Sequence, residues 1–486
     1  MKLFLVPLII LVLLRFWDLD LRPIHHDEAV NGWFVDGLLT RGYYIYDPEN
    51  YHGPFFFYVL ALFEKVFGRS LASLRTPAVL FGAALTFAPL FFRKWIGSRA
   101  AWISIAVLTL SPAIVFFSRY SIHETAFVFS CILFLRLWLT VRESPSGTGL
   151  WVILGLSLGL MASLKENFVV FGAALGLAEL AGAVQDRRMG FFRERRFWRG
   201  VVVCFGVALL MIAVVFTGGF QDGDGFGKFF LAFAKWAGTG TKGNGHEKPF
   251  LYWVELMGRF EWPVFAGLIA SFVVAVRDSG FVRLNAWIGI FSWLVYSLVA
   301  YKTPWCILSL LFFPTLAFGV VVDKTLLKLE SGKKTKNKSS LLPRNVFAGL
   351  LVAGGLFSGY RAFEVSWLSP DQDGHPYIYG QTYRDFLGPV HKILAKVASM
   401  PEGKETTRIQ VLSRFTWPLP YLLGEIKQAG YYGESNAPAE FNADFVLMDE
   451  DLLPKYESRL KGRYEREVVR ARQWSSRMVF MSKTGD

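Results

Sequence analysis

Along most of the chain, apolar runs long enough to cross a membrane alternate with short polar connections. The first run covers residues 3–17 and the last 346–363, with nine others between them. This pattern predicts about eleven spans, hence a polytopic α-helical membrane protein. The first connection, residues 18–70, carries two further apolar segments. In 29–39, Ala29, Val30, Trp33, Phe34 and Leu38 share one helical face, while 55–67 is almost continuously apolar and reads as a helix in the membrane interface.

From residue 364 the pattern changes. A turn at 371–376 precedes a helix at 382–398 with Phe386, Leu387, Val390, Ile393, Leu394 and Val397 on one side. Short apolar stretches at 409–412, 445–448 and 478–481 read as buried strands, and helical segments are expected at 421–428 and 452–460. The expected organisation is a membrane domain, 1–363, carrying a small α/β domain, 364–486, on its outer face.

Composition agrees with a membrane protein: 53% hydrophobic, 16% aromatic, mean hydropathy +0.35. A net charge of +13 would suggest nucleic acid in a soluble chain. Here the bases fall mainly in short connections (Arg93 and Lys94; Arg187, Arg188, Arg193, Arg195, Arg196 and Arg199; Lys324, Lys328, Lys333, Lys334, Lys336 and Lys338). They read as orientation signals that put the N-terminus in the cytoplasm and the C-terminal domain outside a cytoplasmic membrane, and no nucleic acid is expected. Cys131, Cys204 and Cys306 all lie inside apolar runs and suggest neither disulfides nor zinc. The first run has no clear cleavage site and is expected to remain as a span.

With that orientation His25, His26, His52, His123, His246, His375 and His391 all fall outside, with Asp27, Glu124, Glu166 and Glu247. The densest group is His25-His26-Asp27-Glu28, followed by Tyr51-His52-Gly53-Pro54. A carboxylate held against a sugar hydroxyl can act as general base. Alternatively, Asp27 N-caps the following helix with Glu28 on its favourable dipole end, which explains the acids but not the histidines. The exits of the third and fifth spans add Arg119, His123, Glu124, Lys165 and Glu166 to the same surface. Arg119, Lys165, Arg75 and Lys302 are candidate cations for a lipid phosphate, or else anchors that snorkel at helix ends. The glycine-rich connection 220–249 carries His246 and Glu247 and reads either as a lid or as an ordinary flexible link. No cofactor is firmly expected. A divalent metal is the one candidate, although no His-Glu-x-x-His spacing occurs, and the neighbours in His123-Glu124 and His246-Glu247 diverge on a helix.

Asp27-Glu28, His52-Gly53-Pro54, Gly68-Arg69-Ser70 with Arg75, Ser118-Arg119-Tyr120 with Glu124, and Leu164-Lys165 resemble the ordered motifs of the membrane-embedded GT-C glycosyltransferases. The Ser-Arg-Tyr element is similar to the second acidic motif of protein O-mannosyltransferases, with Glu where that motif usually has Asp. Tyr51-His52-Gly53-Pro54, Lys302-Thr303-Pro304-Trp305, Gln381-Thr382 with Asp385, and Trp417-Pro418-Leu419-Pro420-Tyr421 resemble a prokaryotic family of flippase-activity-associated proteins. The tail looks more like the small α/β domains of bacterial lipid-sugar transferases.

The resemblance implies inverting transfer of a sugar from a polyprenyl-phosphate donor to a lipid, glycan or protein hydroxyl on the extracytoplasmic face. Asp27 would be the base, with Glu28 and Glu124 beside it, and Arg119, Lys165, Arg75 and Lys302 would face the phosphate. His26, His52, His123, Glu166, His246 and Glu247 would shape the pocket. The competing class is a non-catalytic partner in translocating lipid-linked sugars. That role favours polar residues deep in several spans, whereas here they cluster at the outer rim.

Overall fold

The computed structural model describes residues 2–143, 147–186, 194–239, 245–331 and 341–484. Each predicted apolar run is helical. Among the described residues, seven helices are long and apolar enough to cross a membrane: Leu71–Ile96, Glu124–Glu143, Phe168–Gln185, Arg195–Phe216, Gly280–Leu298, Pro304–Glu330 and Pro343–Leu368. The bent pair Ser98–Leu110 and Pro112–Ser118 makes an eighth, and Thr148–Leu164 and Trp262–Arg277 are shorter apolar helices. The N-terminal helix Lys2–Leu13 is equally apolar in sequence. The chain is a multi-span membrane protein. Arg187, Arg188, Arg193, Lys333, Lys334, Lys336 and Lys338 lie outside the described residues.

The run at 100–117, expected as one span, bends by 60° at its break. Pro112 has no N–H to continue the helical ladder. Ser111 caps the continuation by accepting the Ile114 N–H (3.2 Å), and Glu261 accepts the Ala113 N–H (2.7 Å). After the bend, residues 119–124 pack against the first connection, where Asn31 donates to the Ser121 carbonyl (2.7 Å).

The connection 220–249 differs from its expected character. Gly225–Thr239 is a helix. Its phenylalanines recur at helical spacing, with Phe229 against Phe216 and Phe233 against Phe168. Residues 240–244 lie outside the described residues.

The C-terminal sheet has five strands, β1 (Arg408–Leu412), β2 (Gln428–Tyr432), β3 (Phe445–Asp449), β4 (Tyr464–Arg470) and β5 (Arg477–Lys483), in the order β2-β1-β3-β5-β4. β1 lies parallel to β2 and β3, and β5 is antiparallel to β3 and β4. Helix Arg384–Ser399 covers one face with Phe386, Val390, Ile393 and Val397. The three expected strands fall within β1, β3 and β5. The expected helix at 421–428 is instead the short turn Leu419–Leu422 followed by β2, and β4 was not expected. Both are edge strands without a fully buried residue, so neither carries the apolar signal of a core strand.

This domain docks on the first connection, residues 18–70, through Tyr421. The ring stacks under the Arg69 guanidinium (3.9 Å), which donates to the Tyr421 carbonyl (2.7 Å) and pairs with Asp36 (2.9 Å). A Cβ at Gly32 would come 2.4 Å from the same ring. Gly32→Ala should therefore push the ring out and destabilise the docked state by about 1–3 kcal/mol, read as earlier thermal unfolding and faster proteolysis at the domain junction.

The Tyr421 hydroxyl donates to Glu64 Oε1 (3.2 Å), while Oε2 of that carboxyl is buried without a partner. Burial and then the Asp36 charge raise the Glu64 carboxyl to about 7, against the opposing pull of Tyr421 and Arg69. A raised value means that the folded state holds the proton more tightly. This contribution is therefore complete below the ordinary value of 4.5 and is lost as pH rises through about 7. Protection of the junction from protease should fall between about pH 5 and about pH 8 in the wild type and stay flat in Glu64→Gln.

Candidate active site

Helix His26–Arg41 begins at the His-His-Asp-Glu stretch, and its cap is not the expected residue. His25 is the N-cap. Its Nδ1 accepts the Asp27 N–H (3.1 Å), and Glu28 reaches back to the His25 N–H (3.0 Å), completing a capping box. The Tyr120 hydroxyl also donates to His25 Nδ1, and His25 Nε2–H donates to the Tyr379 carbonyl (2.9 Å). These partners assign the Nε2–H tautomer, and burial, then the neighbouring His26, lower the ring to about 3. Capping by His25 and Glu28 relieves the Asp27 side chain of that task.

Glu28 is fully buried, and its carboxylate is consumed by structure. Arg75 grips it with two bonds (2.8 and 2.6 Å) and the Ser121 N–H donates to it (2.8 Å). Burial raises the Glu28 carboxyl, but Arg75 outweighs that and holds it down at about 2. The expectation of Glu28 among the catalytic groups beside Asp27 is corrected: it is a buried brace. Arg75 is corrected with it, since its other donors go to the Leu19, Arg22 and Pro23 carbonyls and none is left for a phosphate.

Arg119 also points away from the site. It donates to the Arg15 (2.8 Å), Trp17 (2.6 Å) and Asp18 (2.7 Å) carbonyls and lies over Trp367 (4.5 Å). Lys302 is buried and donates to the Lys248 (3.1 Å) and Val299 carbonyls. Both were expected at the phosphate, and both instead lock backbone turns whose carbonyls have no helical partner.

Asp27 is 35% exposed and stands where two cavities meet. The larger, about 260 Å³, is lined by Asp27, Lys165, Glu166, Asn167 and an aromatic wall that includes Trp236, Trp253, Tyr296 and Tyr301. The smaller, about 170 Å³, is lined by Asn31, Glu49, Asn50, His123 and Glu124. Asp27, Tyr51, His52 and Trp305 line both. Burial raises the Asp27 carboxyl, but His26, whose Nε2 lies 3.0 Å from Oδ1, then His25 and His52 hold it well below the ordinary range. It is ionised at neutral pH.

Around it, Lys165 pairs with Glu124, both buried. Burial opposes the Lys165 charge, yet Glu124 raises its proton affinity well above the ordinary value. His52 Nδ1 lies 3.1 Å from Glu166 Oε2, and this contact outweighs burial to hold the Glu166 carboxyl low. The His123 ring lies 5.0 Å from the His52 ring, tilted by 44°, and is kept neutral by burial first, then by His52 and Lys165.

His246 binds the Tyr379 hydroxyl (2.5 Å), and Glu247 accepts the Gly245 N–H (3.0 Å), so both sit on the loop beside the site and not in the cavity walls. His25, His26 and Asp27 have donor atoms within 4.8 Å of one another, but both His25 nitrogens are already engaged, so the trio offers two available ligands. Sequence reasoning missed the aromatic wall, although Tyr51 and Trp305 lie inside two of the motifs it singled out.

Residues 51–216 match the family model of the dolichyl-phosphate-mannose-protein mannosyltransferases. No curated protein matches significantly. Among solved structures, ArnT from Cupriavidus metallidurans bound to undecaprenyl phosphate superposes with a TM-score of 0.68 at 15% identity over 98% of each chain. Its apo state gives 0.69 at 15% identity, over 99% of this chain and 98% of that one. The Archaeoglobus fulgidus oligosaccharyltransferase tethered to an acceptor peptide gives 0.56 at 12% identity, over 92% of this chain and 69% of that one. The chain has the fold of the GT-C membrane glycosyltransferases.

Proposed function

We propose that the protein is an inverting glycosyltransferase using a polyprenyl-phosphate sugar on the extracytoplasmic face of the cytoplasmic membrane. In this reading the N-terminus is cytoplasmic and the C-terminal domain lies outside. The supporting observation is an ionised Asp27 carboxylate, relieved of capping, in the wall shared by two cavities. A base there reaches a hydroxyl in one cavity and a sugar in the other. The larger cavity, with its aromatic wall, takes the donor sugar, and the smaller, polar one takes the acceptor hydroxyl. Asp27 accepts the hydroxyl proton as that oxygen bonds to the anomeric carbon. The bond from carbon to phosphate oxygen breaks, and the phosphate departs with the electron pair. Lys165, held by Glu124, lends positive charge to the cavity wall. The undecaprenyl phosphate in the ArnT structure supports a polyprenyl-phosphate donor here.

The test is incubation of the purified protein with a panel of polyprenyl-phosphate sugars and membrane extract as acceptor. Release of polyprenyl phosphate with appearance of a glycosylated product supports the reading. Binding of the lipid-linked sugars without turnover of any of them would contradict it and favour a translocation partner.

A further inference from the structure

The charge around Asp27 leaves a deficit. In the larger cavity Asp27 and Glu166 share the wall with a single lysine, Lys165, which already pairs with Glu124, and Arg75, Arg119 and Lys302 are engaged elsewhere. A phosphate anion entering this cavity meets a net negative wall unless another cation is supplied.

The turn between β4 and β5 brings one. Ala471 accepts the Tyr383 N–H (3.0 Å), Arg472 bridges Thr382, and the Gln473 N–H donates to Gln381 (3.1 Å). Gln381 in turn donates to the Pro23 carbonyl (2.9 Å), and Gly380 adopts φ +65° where a Cβ would lie 3.3 Å from the His26 ring. The turn is thus strapped to the His25-His26-Asp27 corner. Its flanking arginines are neutralised, Arg470 by Asp385 (3.1 Å) and Arg477 by Glu450 (2.7 Å). Arg472 is not: among the described residues no carboxylate forms an ion pair with it, and its Nε is buried without a hydrogen-bond partner. The guanidinium rests on Phe415 (4.6 Å), where burial lowers its proton affinity and the Asp27 charge opposes that. A planar guanidinium with spare donors is the side chain best suited to a phosphate.

We infer that Arg472, from the C-terminal domain, receives the phosphate of the lipid donor and so completes the active site from outside the membrane domain. This rests on the lipid-phosphate reading above, and it makes the docked C-terminal domain part of the substrate site.

The test measures binding of undecaprenyl phosphate and of undecaprenol to the full-length protein, as wild type, Arg472→Gln and Arg472→Lys, with thermal unfolding alongside. Loss of a charge-assisted contact should weaken undecaprenyl phosphate binding about 10- to 100-fold in Arg472→Gln, with an intermediate loss in Arg472→Lys and undecaprenol binding unchanged. Unaltered phosphate binding in Arg472→Gln overturns the inference. Equal loss of both lipids with earlier unfolding also overturns it, because Arg472 would then act only by packing on Phe415. Failure of the wild type to prefer undecaprenyl phosphate over undecaprenol would sink the lipid-phosphate reading itself, and this inference with it.

Discussion

Asp27→Asn should lower turnover about 100- to 10,000-fold while leaving the protein folded. The amide keeps the size and polarity of the side chain but cannot take a proton. The carboxylate is not the helix cap, because His25 and Glu28 perform that task, so the change removes a dipole interaction of about 0.3–1 kcal/mol and a contact with His26. Thermal unfolding should move little, and donor binding should persist because the phosphate contacts lie elsewhere. A capping role for Asp27 would give the opposite signature, a stability loss near 1 kcal/mol with activity retained per folded molecule.

Arg75→Met should act through stability. It leaves the Glu28 carboxylate fully buried with only the more distant Arg22 (3.9 Å) as counter-charge, which costs about 3–5 kcal/mol. It also frees the Leu19, Arg22 and Pro23 carbonyls that hold the loop preceding the helix. The expected result is a sharp drop in folded yield and in unfolding temperature, partly recovered by adding Glu28→Gln, which removes the stranded charge. If Arg75 instead touched the donor phosphate, Arg75→Met would fold normally and show weakened donor binding.

These two predictions separate residues that the sequence presents alike. The resemblance and the density of proton-transfer groups pointed to Asp27, and the apolar runs to the helices. The direction in which a charged side chain points is a different matter. Arg75, Arg119 and Lys302 stand at polar rims near apolar runs, where a cation meets a phosphate, a lipid headgroup or an unpartnered backbone carbonyl equally well, and only tertiary packing decides among them. His25 was invisible as a cap because histidine is not among the usual N-cap residues, and its ring is fixed by Tyr120 and Tyr379, distant in sequence. The helix at Gly225–Thr239 was legible in its spaced phenylalanines but masked by the glycines around it. Arg472 sits in a charged turn that reads as solvated surface. The turn that carries it meets the His26 corner only because Gln381, Gln473 and Tyr421 hold the C-terminal domain on the connection 18–70.

The most direct test of the central claim is single-turnover release of polyprenyl phosphate by wild type and Asp27→Asn at matched amounts of folded protein, with a donor that the wild type uses. The account predicts release by the wild type and a loss of at least about 100-fold in the variant, with lipid-donor binding preserved in both. Equal release by the two proteins would contradict it and remove Asp27 from the chemistry.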